Sequence, residues 1–137
     1  MATVPYTKIH SLVENLAEKQ IDLSGNQLTV ALTNTAHTAT WDKLADLTQI
    51  SYENCSSRVI TVSSSSQTEG TYKLVLTDLT LTASGEVGPF RYVYIYDDGS
   101  TNDKLICYYD YGSSITLNDG DTFKLDFDAD DGVLTLA

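Results

Sequence analysis

Basic side chains are scarce in this chain. Eight lysines and arginines stand against nineteen aspartates and glutamates, a net charge of −11. A surface of that sign repels phosphate backbones and offers no cationic patch from which counterions would be released, which excludes nucleic acid as an expected partner. Long apolar runs are missing too: none approaches the roughly 20 residues that cross a bilayer as a helix. The first twenty residues carry Lys8, Glu14, Glu18 and Lys19 where a secretory leader would carry an apolar run and a cleavage site. The expectation is a chain that meets no membrane and is not exported by that route.

Only two cysteines and two histidines are present. Cys55 and Cys107 lack CxxC spacing and have no paired histidines nearby, so zinc is not indicated. Cys107 sits in the apolar run Leu105–Tyr111 and reads as a small buried hydrophobe, and without an export signal free thiols are expected. His10 and His37 have no acidic or cysteine partners at ligand or general-base spacing. There is no GxSxG elbow, no phosphate-binding GxxxxGK[ST] loop and no GxGxxG. The segment Asp126-Phe127-Asp128-Ala129-Asp130-Asp131-Gly132 alternates carboxylates like the opening of a calcium loop. Counted from Asp126, however, its glycine arrives one position late and no glutamate stands at the twelfth position. Alternation with Phe123, Leu125 and Phe127 already places Asp126 and Asp128 on the solvent side of a strand. No catalytic residue, metal or cofactor is expected.

What the chain does contain is patterned apolar sequence. With 137 residues, 42% hydrophobic and 20% charged, it has the size and composition of one globular domain, 1–137, able to bury a core without a staple. Ile9, Leu12, Val13 and Leu16 recur at helical spacing, Thr7 is placed to cap and Ser24-Gly25-Asn26 to stop, so a helix is predicted over about residues 7–20. From residue 27 onward the period becomes two. Leu28–Thr33 reads as a half-buried strand, and residues 35–50 as loop or short helix around Trp41, Leu44, Leu47 and Ile50. Arg58–Val62, Tyr72–Leu76, Leu79–Thr82, Phe90–Tyr96, Lys104–Tyr111, Thr122–Asp128 and Val133–Leu136 read as further strands, with Ser63–Gly70 as a polar turn or loop. About eight short strands with one N-terminal helix predict an all-β fold, a jelly-roll-like β-sandwich.

Two sets of residues are candidates for partner or subunit contacts. Ile9, Leu12, Val13 and Leu16 form an apolar stripe that either docks on a neighbour or packs on its own sandwich. Phe90, Tyr92, Tyr94 and Tyr96 alternate along one strand, with Arg91, Val93 and Ile95 on the other face. A strand apolar on both sides needs cover on both sides, from a loop, the helix or another subunit. Tyr92, Tyr94 and Tyr96, or Tyr108, Tyr109 and Tyr111, also permit an aromatic glycan platform, against the ordinary use of tyrosine in cores and interfaces.

The opening HSLVENLAEKQIDLSGNQLTVALTNTAHTA from His10 resembles the start of a recurrent family of small structural proteins of tailed phages. The resemblance continues through TASGEVGPFRYVYIYDD at 82–98, YDYGSSITLNDGD at 109–121 and DFDADDGVLTL at 126–136. It implies a virion component of the capsid decoration, or cement, type. Such a protein is made in the host cytoplasm, binds the major capsid protein on the capsid exterior as a homotrimer and stabilises the head. A tail or head-fibre component, including a glycan-binding adhesin, is the alternative. The family implies no catalytic residues.

Overall fold

The computed structural model describes residues 6–24 and 27–137. Nine strands, one helix and a 3-10 turn follow one another: β1 (Tyr6–Lys8), α1 (Leu12–Ala17), β2 (Leu28–Thr33), the turn at Leu44–Asp46, β3 (Val62–Thr68), β4 (Thr71–Leu76), β5 (Leu79–Thr82), β6 (Val87–Asp97), β7 (Leu105–Leu117), β8 (Thr122–Leu125) and β9 (Leu134–Leu136). The fold is all-β, with antiparallel sheets and little helix, as the alternating patterns predict. A four-stranded sheet runs β1-β7-β6-β2, a three-stranded sheet β3-β4-β9, and a two-stranded sheet β5-β8.

The long β6–β7 hairpin is the centre of the first sheet. The outer edge of β2 is extended by residues 58–60: the Val30 amide donates to the Arg58 carbonyl at 2.9 Å and the Ile60 amide to the Leu28 carbonyl at 2.8 Å. The Arg58 guanidinium donates to the Val30 carbonyl at 2.6 Å and lies 3.6 Å from the Tyr52 ring centroid. Beyond Ile60 the chain leaves this sheet and becomes β3 of the second. There, β4 and β5 run in succession, broken at Thr77–Asp78, and pair with β9 and β8. Residues 126–133 are thus an excursion between the two partner strands. Asp128 closes it, one carboxylate oxygen accepting the amides of Asp130 at 2.8 Å and Asp131 at 2.9 Å. Asp126 and Asp128 are exposed, on the solvent side that their alternation predicts.

The main core lies between the layers. It joins Leu28, Val30 and Leu32 of β2 and Val93 and Ile95 of β6 to Leu74, Leu76, Leu81, Leu125 and Leu134 of the other sheets. A second, smaller cluster lies on the far side of β6, where residues 34–50 fold back over Tyr92, Tyr94 and Tyr96. Because both faces are covered, all six residues of β2 are buried, not half of them as its threonines suggest. Thr33 stays inside by donating its hydroxyl to the Thr48 carbonyl at 2.6 Å.

Three expectations are corrected. The helix over 7–20 contracts to Leu12–Ala17, because residues 6–8 pair with the edge of β7, Thr7 opposite Tyr108. A cross-strand ladder is available to those residues, whereas a short isolated helix gains little from propensity. Ser63–Ser66 is not a loop tip but strand β3, its turn confined to Glu69-Gly70. Serine's weak β-propensity yields there to pairing with the apolar β4. The four aromatics of β6 also do not share a face. The ladder with β7 slips between Phe90 and Tyr92; such a bulge reassigns side chains across the sheet. Phe90 therefore enters the main core, 5.3 Å from the Phe123 ring, while the three tyrosines enter the second cluster.

Gly132 ends the excursion with φ of +77°, and a Cβ there would lie 2.6 Å from the Leu74 carbonyl oxygen. Gly120 also has positive φ, at +87°, but its Cβ position is open. Gly132→Ala is expected to cost about 1–3 kcal/mol in urea denaturation, and more than Gly120→Ala. Equal losses at the two sites would contradict this packing of the excursion on β4.

Candidate functional site

The eight residues singled out from the sequence do not form one surface. Ile9 is fully buried with Tyr92, Tyr94 and Tyr96 in the second cluster. Leu12 and Phe90 are buried in the main core, and Leu16 packs at its margin. Only Val13, 50% exposed, faces solvent. The stripe is split because Ile9 precedes the helix and donates its amide to the Ile106 carbonyl at 3.1 Å; the periodicity that linked Ile9 to Leu12 was not helical. The aromatic strand has no free ring face, since the chain's own 34–50 segment covers it. Candidate contacts with other chains at these positions reduce to Val13 and the partly buried Leu16.

His37 is the polar centre of that cover. Its Nδ1 lies 2.8 Å from the Tyr94 hydroxyl. Its ring stacks on Tyr108 at 4.3 Å between centroids and meets Trp41 edge-on at 5.6 Å. Tyr108 in turn stacks on Tyr94 at 5.2 Å. Partial burial holds the His37 imidazole below its ordinary pKa, with nearby His10 adding to the effect. Burial pushes the Tyr94 hydroxyl well up, so it stays protonated and able to donate to the imidazole. The segment is tied down by a bridge to the start of β7: the Leu44 amide donates to the Asp103 carbonyl at 2.9 Å and the Leu105 amide to the Asp42 carbonyl at 3.0 Å. Among the described residues no carboxylate is bonded to His37, and the group is a packed aromatic clasp.

Apart from Asp97, the charged groups are spread along the surface. Arg91 holds Asp110 through two hydrogen bonds, at 2.7 and 3.1 Å, and keeps that carboxyl below its usual range. Lys43 pairs with Asp42 and Asp46, and Lys124 with Asp78. Asp97 is buried, its oxygens accepting the amides of Asp22 at 2.9 Å and Gly99 at 3.0 Å. Among the described residues no three histidine, cysteine or acidic side chains converge as a metal site would require. Cys55 and Cys107 are free, and burial raises the Cys107 thiol far above its ordinary value.

One concave feature stands apart from these. An open groove of about 540 Å³ lies between α1 with residues 21–24 on one side and the β3-β4-β9 sheet on the other. Leu16, Ile21 and Leu23 form one wall and Tyr72 and Leu136 the other, with Ser65 on the β3 side. Neither Leu136, 42% exposed, nor Tyr72 stood out in the sequence. The alternation Ile21-Asp22-Leu23 marked an extended apolar wall, but it fell between the predicted helix, 7–20, and the strands read from residue 27 onward. The serine run concealed the strand that borders the groove.

Compared with protein-family models, with curated proteins and with solved structures, the chain matches none.

The aromatic clasp gives the fold a pH dependence. His37 has a lowered pKa in the folded chain, so the unfolded chain binds more protons and stability falls as pH falls through the imidazole range. The contribution is complete above the ordinary imidazole value and is lost as pH drops from there through the lower folded value. Thermal melts between about pH 7 and pH 5 are expected to show a falling Tm that flattens in His37→Gln. An unchanged slope in that variant would contradict the assignment.

Proposed function

We propose that this chain is a structural protein of a tailed-phage virion that decorates the outside of the capsid and stabilises the head. What supports the reading is the resemblance of an ordered set of segments to that family. In the fold, 82–98 is the last residue of β5 and all of β6, 109–121 is the greater part of β7 with its turn to β8, and 126–136 is the excursion and β9. The segments that resemble the family are therefore those that set the hairpin, its bulge and the joining turns.

The proposed partner is the major capsid protein, and the proposed assembling unit a homotrimer on the capsid exterior. Contacts within that trimer lie outside the Phe90–Tyr96 strand, whose rings are occupied by the chain's own cover. Decoration stabilises a shell because it adds interface that only the assembled lattice offers. Modest single contacts suffice when several sites are engaged at once. An adhesin would want ring faces presented to a sugar; the tyrosines of β6 are turned inside, and Tyr108, Tyr109 and Tyr111 of β7 are half-buried against His37, Tyr6 and Phe123, so the cement reading is preferred.

Electron microscopy of purified virions is expected to place the protein at regular positions on the head. Heads lacking it are expected to lose their DNA at lower temperature than complete ones. Equal heat resistance with loss of host adsorption would overturn the decoration reading in favour of a fibre or adhesin.

A further inference from the structure

The sheet edges of this fold are not alike. Among the edge strands, β1 and β9 have three residues each, and β5 and β8 four. The edge of β2 is occupied by residues 58–60 and, through the Ile50 amide bonded to the Leu32 carbonyl at 3.1 Å, by residue 50. β3 is the longest edge strand, at seven residues. It pairs with β4 alone, and on its other side its backbone bonds to no other described residue. Natural proteins protect such edges with lysine, proline or a mid-strand bulge. Val62–Thr68 carries no charge and no proline, and its one register shift lies at the start, between Val62 and Ser64.

This edge borders the apolar groove. Ser65 lines the groove from β3 and bonds to the Tyr72 hydroxyl at 2.7 Å. A strand laid along β3 would direct alternate side chains to the face of the sheet that carries Ser65 and the groove, with β3 and β4 standing between it and Leu136 on β9. That combination, open main-chain groups beside a cavity for every second side chain, is the chemistry of strand addition. We propose that β3 and the adjoining groove form a docking site for an extended segment of another protein, with apolar residues at alternate positions and basic residues at its ends. The proposal rests on this edge and groove and does not depend on the virion reading.

Two observations select that occupant over a second copy of this chain. After Val62, β3 offers only serine, glutamine and threonine, so a copy of itself laid alongside would bring hydroxyls to apolar walls. Copies that each carry −11 also meet at an electrostatic cost that this uncharged strand does nothing to offset, whatever contacts hold them together elsewhere. The same charge attracts a basic partner. On the rim Lys19 stands near Asp22, so the preference for basic ends comes from the field of the whole molecule.

The test uses the full chain and a panel of synthetic peptides of about eight residues, the length of a typical strand. Each has Val, Ile, Leu or Phe at alternate positions and either lysines or glutamates at both ends. Fluorescence anisotropy measures binding, and hydrogen exchange locates it. At least one lysine-ended peptide is expected to bind in the micromolar range and to slow exchange in Val62–Thr68. Ser65→Lys, which sets a charge on the groove face of β3 itself, is expected to weaken that peptide about tenfold, or ~1.4 kcal/mol. Absence of β3 protection by any peptide at about 1 mM, a range of weak but measurable affinity, would overturn the site. Equal binding of glutamate-ended peptides would overturn the charge argument. Protection of β3 on raising the protein's own concentration would replace the partner with a second copy.

Discussion

The fold depends on covering both faces of β6. Valine and isoleucine point one way from this strand and three tyrosines the other, in the middle of a sheet flanked by β2 and β7. An aromatic side chain hides roughly 150–250 Å² when buried. At about 25 cal/mol per Å², that is roughly 4–6 kcal/mol per ring as an upper figure. Three uncovered tyrosines would forfeit an amount comparable to the whole stability of an ordinary domain, about 5–15 kcal/mol. The chain supplies the cover itself. The second layer closes over Val93 and Ile95, and residues 34–50 close over Tyr92, Tyr94 and Tyr96, with His37 and Trp41 completing the packing. Alternation lets one strand serve both cores, and the bulge between Phe90 and Tyr92 adds Phe90 to the main one.

That self-sufficiency moves any interaction surface elsewhere. With the aromatic strand closed, the features left open are the acidic exterior, the edge of β3 and the groove between α1 and the β3-β4-β9 sheet. The acidic exterior is solvated and partly paired, as with Arg91 and Asp110, and exposed pairs of this sort contribute little to stability. Its effect is at long range, in setting which partners approach. The β3 edge and the groove act at short range, through backbone groups and apolar walls.

The alternating segments were legible in the sequence because period two has a single structural meaning when one face is apolar. Leu28–Thr33, Leu79–Thr82 and the β6–β7 hairpin across Asp97–Ser100 stand where the pattern puts them. The failures share a cause, since each depends on a neighbour distant in sequence. Residues 6–8 are a strand because β7 offers an edge, and the serines of β3 are a strand because β4 does. Nothing local marks the slip between Phe90 and Tyr92, which is set by how β7 pairs with β6. The clasp over Tyr94 joins His37 to residues 57 and 71 positions away, and the groove joins α1 to β9 across nearly the whole chain.

The central claim is that one chain closes both faces of β6 without help from another. Native-state hydrogen exchange followed over a wide range of protein concentration tests it directly. The amides of Tyr92–Tyr96 are predicted to be among the slowest to exchange, opening only with global unfolding, at rates independent of concentration. Fast exchange of those amides in dilute solution, with protection returning as the protein is concentrated, would show that a second chain provides the cover and would contradict the account.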